Sequence, residues 1–195
     1  MKVLQIKCPR CQQPIYSKTK DLTFYCPHCR TMHVRDGGVN IIDFDIAEFN
    51  VNAPPDRVYM PFWRLFSTVR INQSQVTGGT LHKLGRLLKG TVDGGNVFIY
   101  VPAWETEVQE FKRWSMGMTE SQPIYSLRMD FNNVERVATA VSKEEAMRMA
   151  DFVIVTMEAE KPGTLQYLNY SLQVHDARLI YLPFVKGPGG MAPGF

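Results

Sequence analysis

The apolar positions of this chain fall in short, mostly strand-like runs punctuated by glycine, proline and asparagine. Near the start, Pro14-Ile15-Tyr16, Leu22-Thr23-Phe24-Tyr25-Cys26 and Thr31-Met32-His33-Val34 predict three short strands. Lys18-Thr19-Lys20-Asp21 is the polar tip of a hairpin between the first two, and Asp36-Gly37-Gly38 closes the region. Val39 to Ile46 alternates well enough for a strand or an extended linker, and Asn50 to Asp56 reads as a second break. Arg57 to Asn72 has the aromatic and β-branched density of a strand, with Pro61 restricting it to an edge or a bulge. Thr77-Gly78-Gly79 and Asp93-Gly94-Gly95-Asn96 predict turns; between them, Leu81, Leu84, Leu87 and Leu88 fit either a helix or a short strand. Val97 to Val101 predicts a buried strand.

Helical spacing then takes over. Glu105 to Met116 places Val108, Phe111 and Trp114 on one face, with Glu105, Glu107 and Glu110 near its start. Ser142, followed three residues later by Glu145, is a capping box that opens a helix running to about Glu160, stopped by Lys161-Pro162-Gly163. Leu165 to Val174 and Ala177 to Val185 predict a hairpin turning at His175-Asp176, and the tail from Lys186 to Phe195 is expected to be loose. The predicted class is α+β: a small cysteine-bearing region (1–36), an acidic linker or extended strand (37–56), a mainly antiparallel β-sheet domain with two or three helices (57–185), and a flexible Gly/Pro-rich tail (186–195).

With 195 residues, 45% of them hydrophobic, the chain can bury one ordinary core plus a small module. No apolar run is long enough to span a membrane and no start resembles a signal peptide, so a cytoplasmic protein is expected. The net charge of +3 is unevenly spread. Residues 1–35 carry seven bases against the single acid Asp21, net +6, whereas Asp36, Asp43, Asp45, Glu48 and Asp56 give residues 36–56 a charge of −5. A small basic module reads as a contact for nucleic acid or an acidic protein, or as a surface that the acidic segment folds back to neutralise.

The chemistry is concentrated in four cysteines, Cys8-Pro9-Arg10-Cys11 and Cys26-Pro27-His28-Cys29, two C-x-x-C pairs separated by fourteen residues. Each pair can turn two sulfurs toward one ion, and four thiolates suit tetrahedral zinc better than any hard cation. The shell closes on itself, so the expected zinc is structural. No cysteine is left for a disulfide, which fits a reducing compartment. A rubredoxin-like iron centre uses the same two pairs, but usually with a longer spacing and with glycines after them. His28 and His33 are surplus to the shell and are expected at the surface or against a partner. Cys11→Ser or Cys26→Ser is expected to release the metal and unfold residues 1–35 while the rest keeps its secondary structure.

These four cysteines, with Pro9 and Pro27 inside the knuckles, resemble small bacterial zinc ribbons, including those related to the amino-terminal ribbon of transcription factor IIB. Where many of that group place a glycine after the second cysteine, this chain has Gln12 and Arg30. The resemblance implies a metal-bound fold and no particular reaction. Val58-Tyr59-Met60-Pro61-Phe62-Trp63, Leu179-Ile180-Tyr181-Leu182-Pro183-Phe184 and Glu158 to Leu165 look like stretches of uncharacterised bacterial zinc-ribbon proteins.

A phrase with an aromatic two residues before proline recurs at Tyr59-Met60-Pro61-Phe62-Trp63, Tyr100-Val101-Pro102-Ala103-Trp104 and Tyr181-Leu182-Pro183-Phe184-Val185. It fits either a shared aromatic groove of Tyr59, Trp63, Tyr100, Trp104 and Tyr181, or three strand ends whose aromatics fill a core. No nucleophile elbow, phosphate loop or H-E-x-x-H helix occurs, and an enzymatic site in the α+β domain has no positive support. His82 stands alone, and His175 beside Asp176 reads as a solvated turn. The expected role is a protein-interaction or adaptor module with a structural zinc, with self-association as one form of partnership. The alternative is non-specific nucleic-acid binding through Lys7, Arg10, Lys18, Lys20 and Arg30.

Overall fold

A computed structural model describes residues 3–77, 94–160 and 164–195. The expected turn at Gly78-Gly79, the leucine run 81–88, His82 and the helix stop at 161–163 lie outside the described residues. The class is α+β, with two described helices and mainly antiparallel sheets.

The cysteine region contains two hairpins. β1 (Val3–Lys7) pairs with β2 (Pro14–Lys18), and β3 (Thr23–Cys26) pairs with β4 (Thr31–Arg35). The sequence pointed to one hairpin closing at 18–21; instead each C-x-x-C pair sits in the turn of its own hairpin. The reason is local: the Cys8 carbonyl accepts the Gln12 N–H and the Cys26 carbonyl accepts the Arg30 N–H, which reverses the chain at each knuckle and leaves the 18–21 segment to connect hairpins. β5 (Val39–Ile42) adds to the edge of β4, and β6 (Phe44–Ala47) crosses into the main sheet. The acidic stretch is therefore two strands.

The main sheet is built on two long partners, β7 (Arg57–Thr77) and β11 (Thr164–Gly187), antiparallel to each other. β8 (Gly95–Pro102) pairs with β7, β9 (Leu127–Arg128) pairs with β6, and β10 (Glu135–Arg136) runs parallel to β7 at Val58 and Tyr59. His175-Asp176 does not turn the chain. It sits at a bulge that absorbs one extra residue between Val174 and Asp176, and β11 continues for the length that β7 offers. Pro61 also departs from the edge position expected of it. It lies in a strand paired on both sides, at the point where the neighbour of β7 changes from β10 to β8, so its missing N–H interrupts no ladder. The tail is not loose: β12 (Gly190–Pro193) folds back on β11, and Gly194 N–H donates to the Pro183 carbonyl.

Helix α1 (Val108–Ser121) starts and ends later than the spacing suggested, and it buries Trp114, Met116 and Met118 while Val108 is exposed. Helix α2 (Lys143–Ala159) carries the expected capping box, with Glu145 N–H donating to Ser142 Oγ and Ser142 N–H to the Glu145 carboxylate. It lays Ala146, Ala150, Val153, Ile154 and Met157 on one face of the sheet. Met32 of β4 is part of that same core, and Tyr25 packs edge-on against Phe44 and Phe131. The cysteine module is thus fused to the body through shared core residues. These shared core residues argue against its unfolding alone. No helix among the described residues is long and apolar enough to cross a membrane.

Candidate metal centre

Both knuckles fold in the same way. The Gln12 N–H donates to the Cys8 carbonyl at 2.9 Å, and Arg30 N–H donates to the Cys26 carbonyl at 2.8 Å. Gln12 and Arg30 take left-handed φ angles of 60° and 55°, the conformation for which glycine is the usual choice. The chain accepts this mild strain because the bonds that close the two turns point both cysteines of each pair inward.

The four sulfurs converge. Cys8 Sγ lies 3.6 Å from Cys29 Sγ and Cys11 Sγ lies 3.5 Å from Cys26 Sγ, and all four ligand atoms are within 4.8 Å of one another. These separations are far too long for disulfide bonds. A tetrahedral ion with 2.3 Å metal–sulfur bonds would hold its sulfurs about 3.8 Å apart. The donor set and its spacing are therefore compatible with a structural metal site. Cys8 and Cys26 are buried, whereas Cys11 and Cys29 are partly exposed, so the site has an inner and an outer edge.

Crowding ties the ionisation of the thiols together. The Cys29 thiol is drawn down to about 7: burial opposes its thiolate, but the Thr31 hydroxyl and the sulfurs of Cys26, Cys8 and Cys11 outweigh burial. Cys11 is pushed up to about 12: the Gln13 backbone N–H favours its thiolate, yet burial and the other three sulfurs prevail. Burial raises Cys26 as well. The metal-free cluster thus resists full ionisation, and a divalent cation is the group that would reverse that resistance.

A second layer surrounds the sulfurs. Thr31 Oγ1 lies 3.3 Å from Cys29 Sγ and accepts a bond from Arg10 Nη1 at 3.0 Å. His33 Nε2 lies 3.4 Å from Cys8 Sγ, its ring stacked on Phe24 with centroids 5.1 Å apart. His28 is exposed, as expected, but His33 is fully buried, and burial lowers its pKa. The correction follows from strand period: Thr31 and His33 alternate along one face of β4, toward the sulfurs, and Met32 points the other way into the body. That alternation is the sequence signal for this layer.

Comparison with protein-family models, characterised proteins and solved structures found no match for the chain.

The other candidate residues are dispersed. Lys7, Arg10 and Arg30 are exposed around the knuckles; Lys20 reaches the body and pairs with Glu105 at 3.2 Å; the Lys18 side chain lies outside the described residues. The acidic segment places its one buried carboxylate, Asp45, between the body arginines Arg64 and Arg178, at 3.2 and 3.0 Å. The aromatic candidates line no common groove. Tyr59, Trp63 and Tyr181 are buried in the core under α2, and Tyr100 and Trp104 are buried in the cluster on the opposite side. Tyr181 has a polar role instead. Its hydroxyl joins Thr23, Thr139 and Arg136 where the cysteine module meets the body. Exposed His175 contacts Thr68 Oγ1 at 2.7 Å.

One sizeable apolar cavity opens between the start of α1 and the outer face of α2. It encloses about 650 Å³ and is lined chiefly by Trp104, Val108, Phe111, Met149 and Phe152, with Glu105 at its rim. Glu107 and Glu110 stand on the same helix start. Of these carboxylates only Glu105 lines the cavity, and it is the one paired with Lys20.

Proposed function

We propose that the four thiolates hold a structural zinc ion, and that the chain is a zinc-stapled interaction module. Its docking groove is the cavity between α1 and α2. Four sulfur donors leave no ligand position for a substrate, and soft thiolates favour zinc among the common divalent ions. The partner segment that suits the groove is apolar in its centre, to meet Trp104, Phe111, Met149 and Phe152, and carries a basic group at one flank, to compete with Lys20 for Glu105. The observation that carries the reading is a cavity whose lining is mostly apolar and includes the exposed side chains of Val108 and Phe152. Phe152 is 45% exposed and Val108 63% exposed, large apolar side chains left open to solvent beside the cavity.

The test is selection from a displayed library of short helical peptides, followed by fluorescence titration of the recovered sequences. Peptides with clustered apolar positions and flanking Lys or Arg, whose binding is lost in Phe152→Asp, support the groove. Recovery of acidic peptides, or binding that ignores Phe152→Asp, refutes it. The exposed Lys7, Arg10 and Arg30 favour nucleic acid as a second reading. Binding of duplex or single-stranded DNA that weakens steeply with salt and is abolished by Arg10→Ala with Arg30→Ala would put that reading first.

A further inference from the structure

His33 is a buried titratable group beside the four-cysteine shell that the shell does not use. It is fully buried, its Nε2 is 3.4 Å from Cys8 Sγ, and its Nδ1 is buried with no hydrogen-bond partner. A neutral imidazole has one donor nitrogen and one acceptor nitrogen. A buried N–H without an acceptor is the costlier orphan, so Nδ1 carries the lone pair and Nε2 carries the proton. That proton faces a sulfur. We infer that His33 is a positioning residue of the metal centre: it donates Nε2–H to the Cys8 thiolate and makes the inner edge of the site its slow-exchanging side.

Three observations support a donor role over direct ligation. The set of ligand atoms lying within 4.8 Å of one another consists of the four cysteines, without His33. Four sulfurs already complete a tetrahedron. The ring is held flat against Phe24, at an interplanar angle of 18°, which fixes the direction of its N–H. A divalent ion bound by four thiolates carries a formal charge of −2, and donors to the sulfurs draw part of that charge off the ligands and hold them in place. Thr31, backed by Arg10, contacts Cys29 at the outer edge, but the sulfurs of that edge are partly exposed. Cys8 is buried and faces a rigid donor, so metal exchange and electrophilic attack should begin at the partly exposed Cys11 and Cys29.

This inference rests on the metal reading above, and its test separates the two. Full-length protein is loaded with zinc for nitrogen-15 spectroscopy of the histidine rings and with cadmium-113 for coupling measurements. The expected result is an Nε2–H tautomer for His33 and a coupling between that proton and cadmium transmitted through Cys8. His33→Phe, which preserves the stack on Phe24, should retain a full equivalent of metal but release it to a chelator about ten- to a hundredfold faster. His33→Gln, which restores a donor, should recover much of the slow release. An Nδ1–H tautomer, a cadmium ion bound by three sulfurs and the His33 nitrogen, or an unchanged release rate in His33→Phe would overturn the inference while leaving the metal site standing. Failure of the wild-type chain to take up one equivalent of zinc or cadmium would overturn the metal reading and this inference with it.

Discussion

Removing the Asp21 carboxylate should be among the most damaging single changes outside the cysteines. Asp21 is 3% exposed and its Oδ2 lies 2.7 Å from Arg136 Nη2. Its Oδ1 accepts from the Thr139 N–H at 3.0 Å and from the Thr23 N–H at 3.2 Å. In Asp21→Ala, the Arg136 guanidinium, 18% exposed, keeps only the Thr23 carbonyl at 3.2 Å and the Tyr181 hydroxyl at 3.3 Å. Breaking one side of such a pair costs about 3–5 kcal/mol, because the remaining charge stays buried. Asp21→Asn keeps an acceptor for the two backbone N–H groups and loses the charge, so a cost of about 1–3 kcal/mol is expected. Arg136→Leu combined with Asp21→Ala removes the stranded cation as well. The double variant should therefore be more stable than the sum of the single effects by at least about 2 kcal/mol. Urea unfolding followed by far-ultraviolet circular dichroism, with the slope held constant, measures these three and Arg136→Leu alone, which completes the cycle. An Asp21→Ala cost below about 1 kcal/mol would mean that water reaches Arg136, and the buried junction would be refuted.

Other outcomes follow from the same structure. Cys26→Ser should release the metal and also lower the stability of the body by about 3 kcal/mol or more, since Met32 and Tyr25 belong to its core; unchanged amide-exchange protection in β7 and β11 would contradict this. Gly94→Ala should destabilise by more than about 2 kcal/mol, because φ is +137° and an added Cβ would sit 2.3 Å from the Val69 carbonyl oxygen; a thermal melt within a degree or two of wild type would refute the steric argument. The Ser142 backbone N–H, together with its side chain, holds the Glu145 carboxylate below its ordinary 4.5. Its contribution is then full above that value and is lost as pH falls through the lowered native one. The advantage of wild type over Glu145→Gln, about 0.3–1 kcal/mol near neutrality, should therefore shrink below pH ~4, and an advantage that grows on acidification would invert the assignment.

The cysteine spacing, the capping box at Ser142 and the buried strand at Val97 to Val101 were legible because each depends on residues close in sequence. Hairpin pairing was not. The choice of β1 rather than β3 as the partner of β2 depends on bonds inside the knuckles, at Gln12 and Arg30, where no glycine announces a left-handed turn. His175-Asp176 has the composition of a turn, yet the 21-residue length of β7 decides that its partner runs straight through a bulge. The proline phrases mark real strand features, but proline punctuates long strands here instead of ending them all. Their aromatics divide between two cores because successive side chains on a sheet face opposite sides.

That same alternation explains why the metal site and the body form one structural unit. β4 presents Thr31 and His33 to the sulfurs and Met32 to the body core, while β3 presents Thr23 and Tyr25 to the body and Phe24 to His33. Two adjacent short strands therefore have a metal-facing and a body-facing side with no spacer between them. The Asp21–Arg136 pair and the Tyr181 hydroxyl close the same junction with a buried polar network, which is stable only when every member is satisfied. An ion that orders the four thiolates consequently orders the surface on which the body packs. The free energy of metal binding then reaches the core directly, whereas the exposed Lys20–Glu105 pair, worth under about 1 kcal/mol, ties the segment between the hairpins to the cavity only weakly. Any loss of partner affinity on metal removal should therefore come through loosening of the shared core under α2 and not through the rim of the groove.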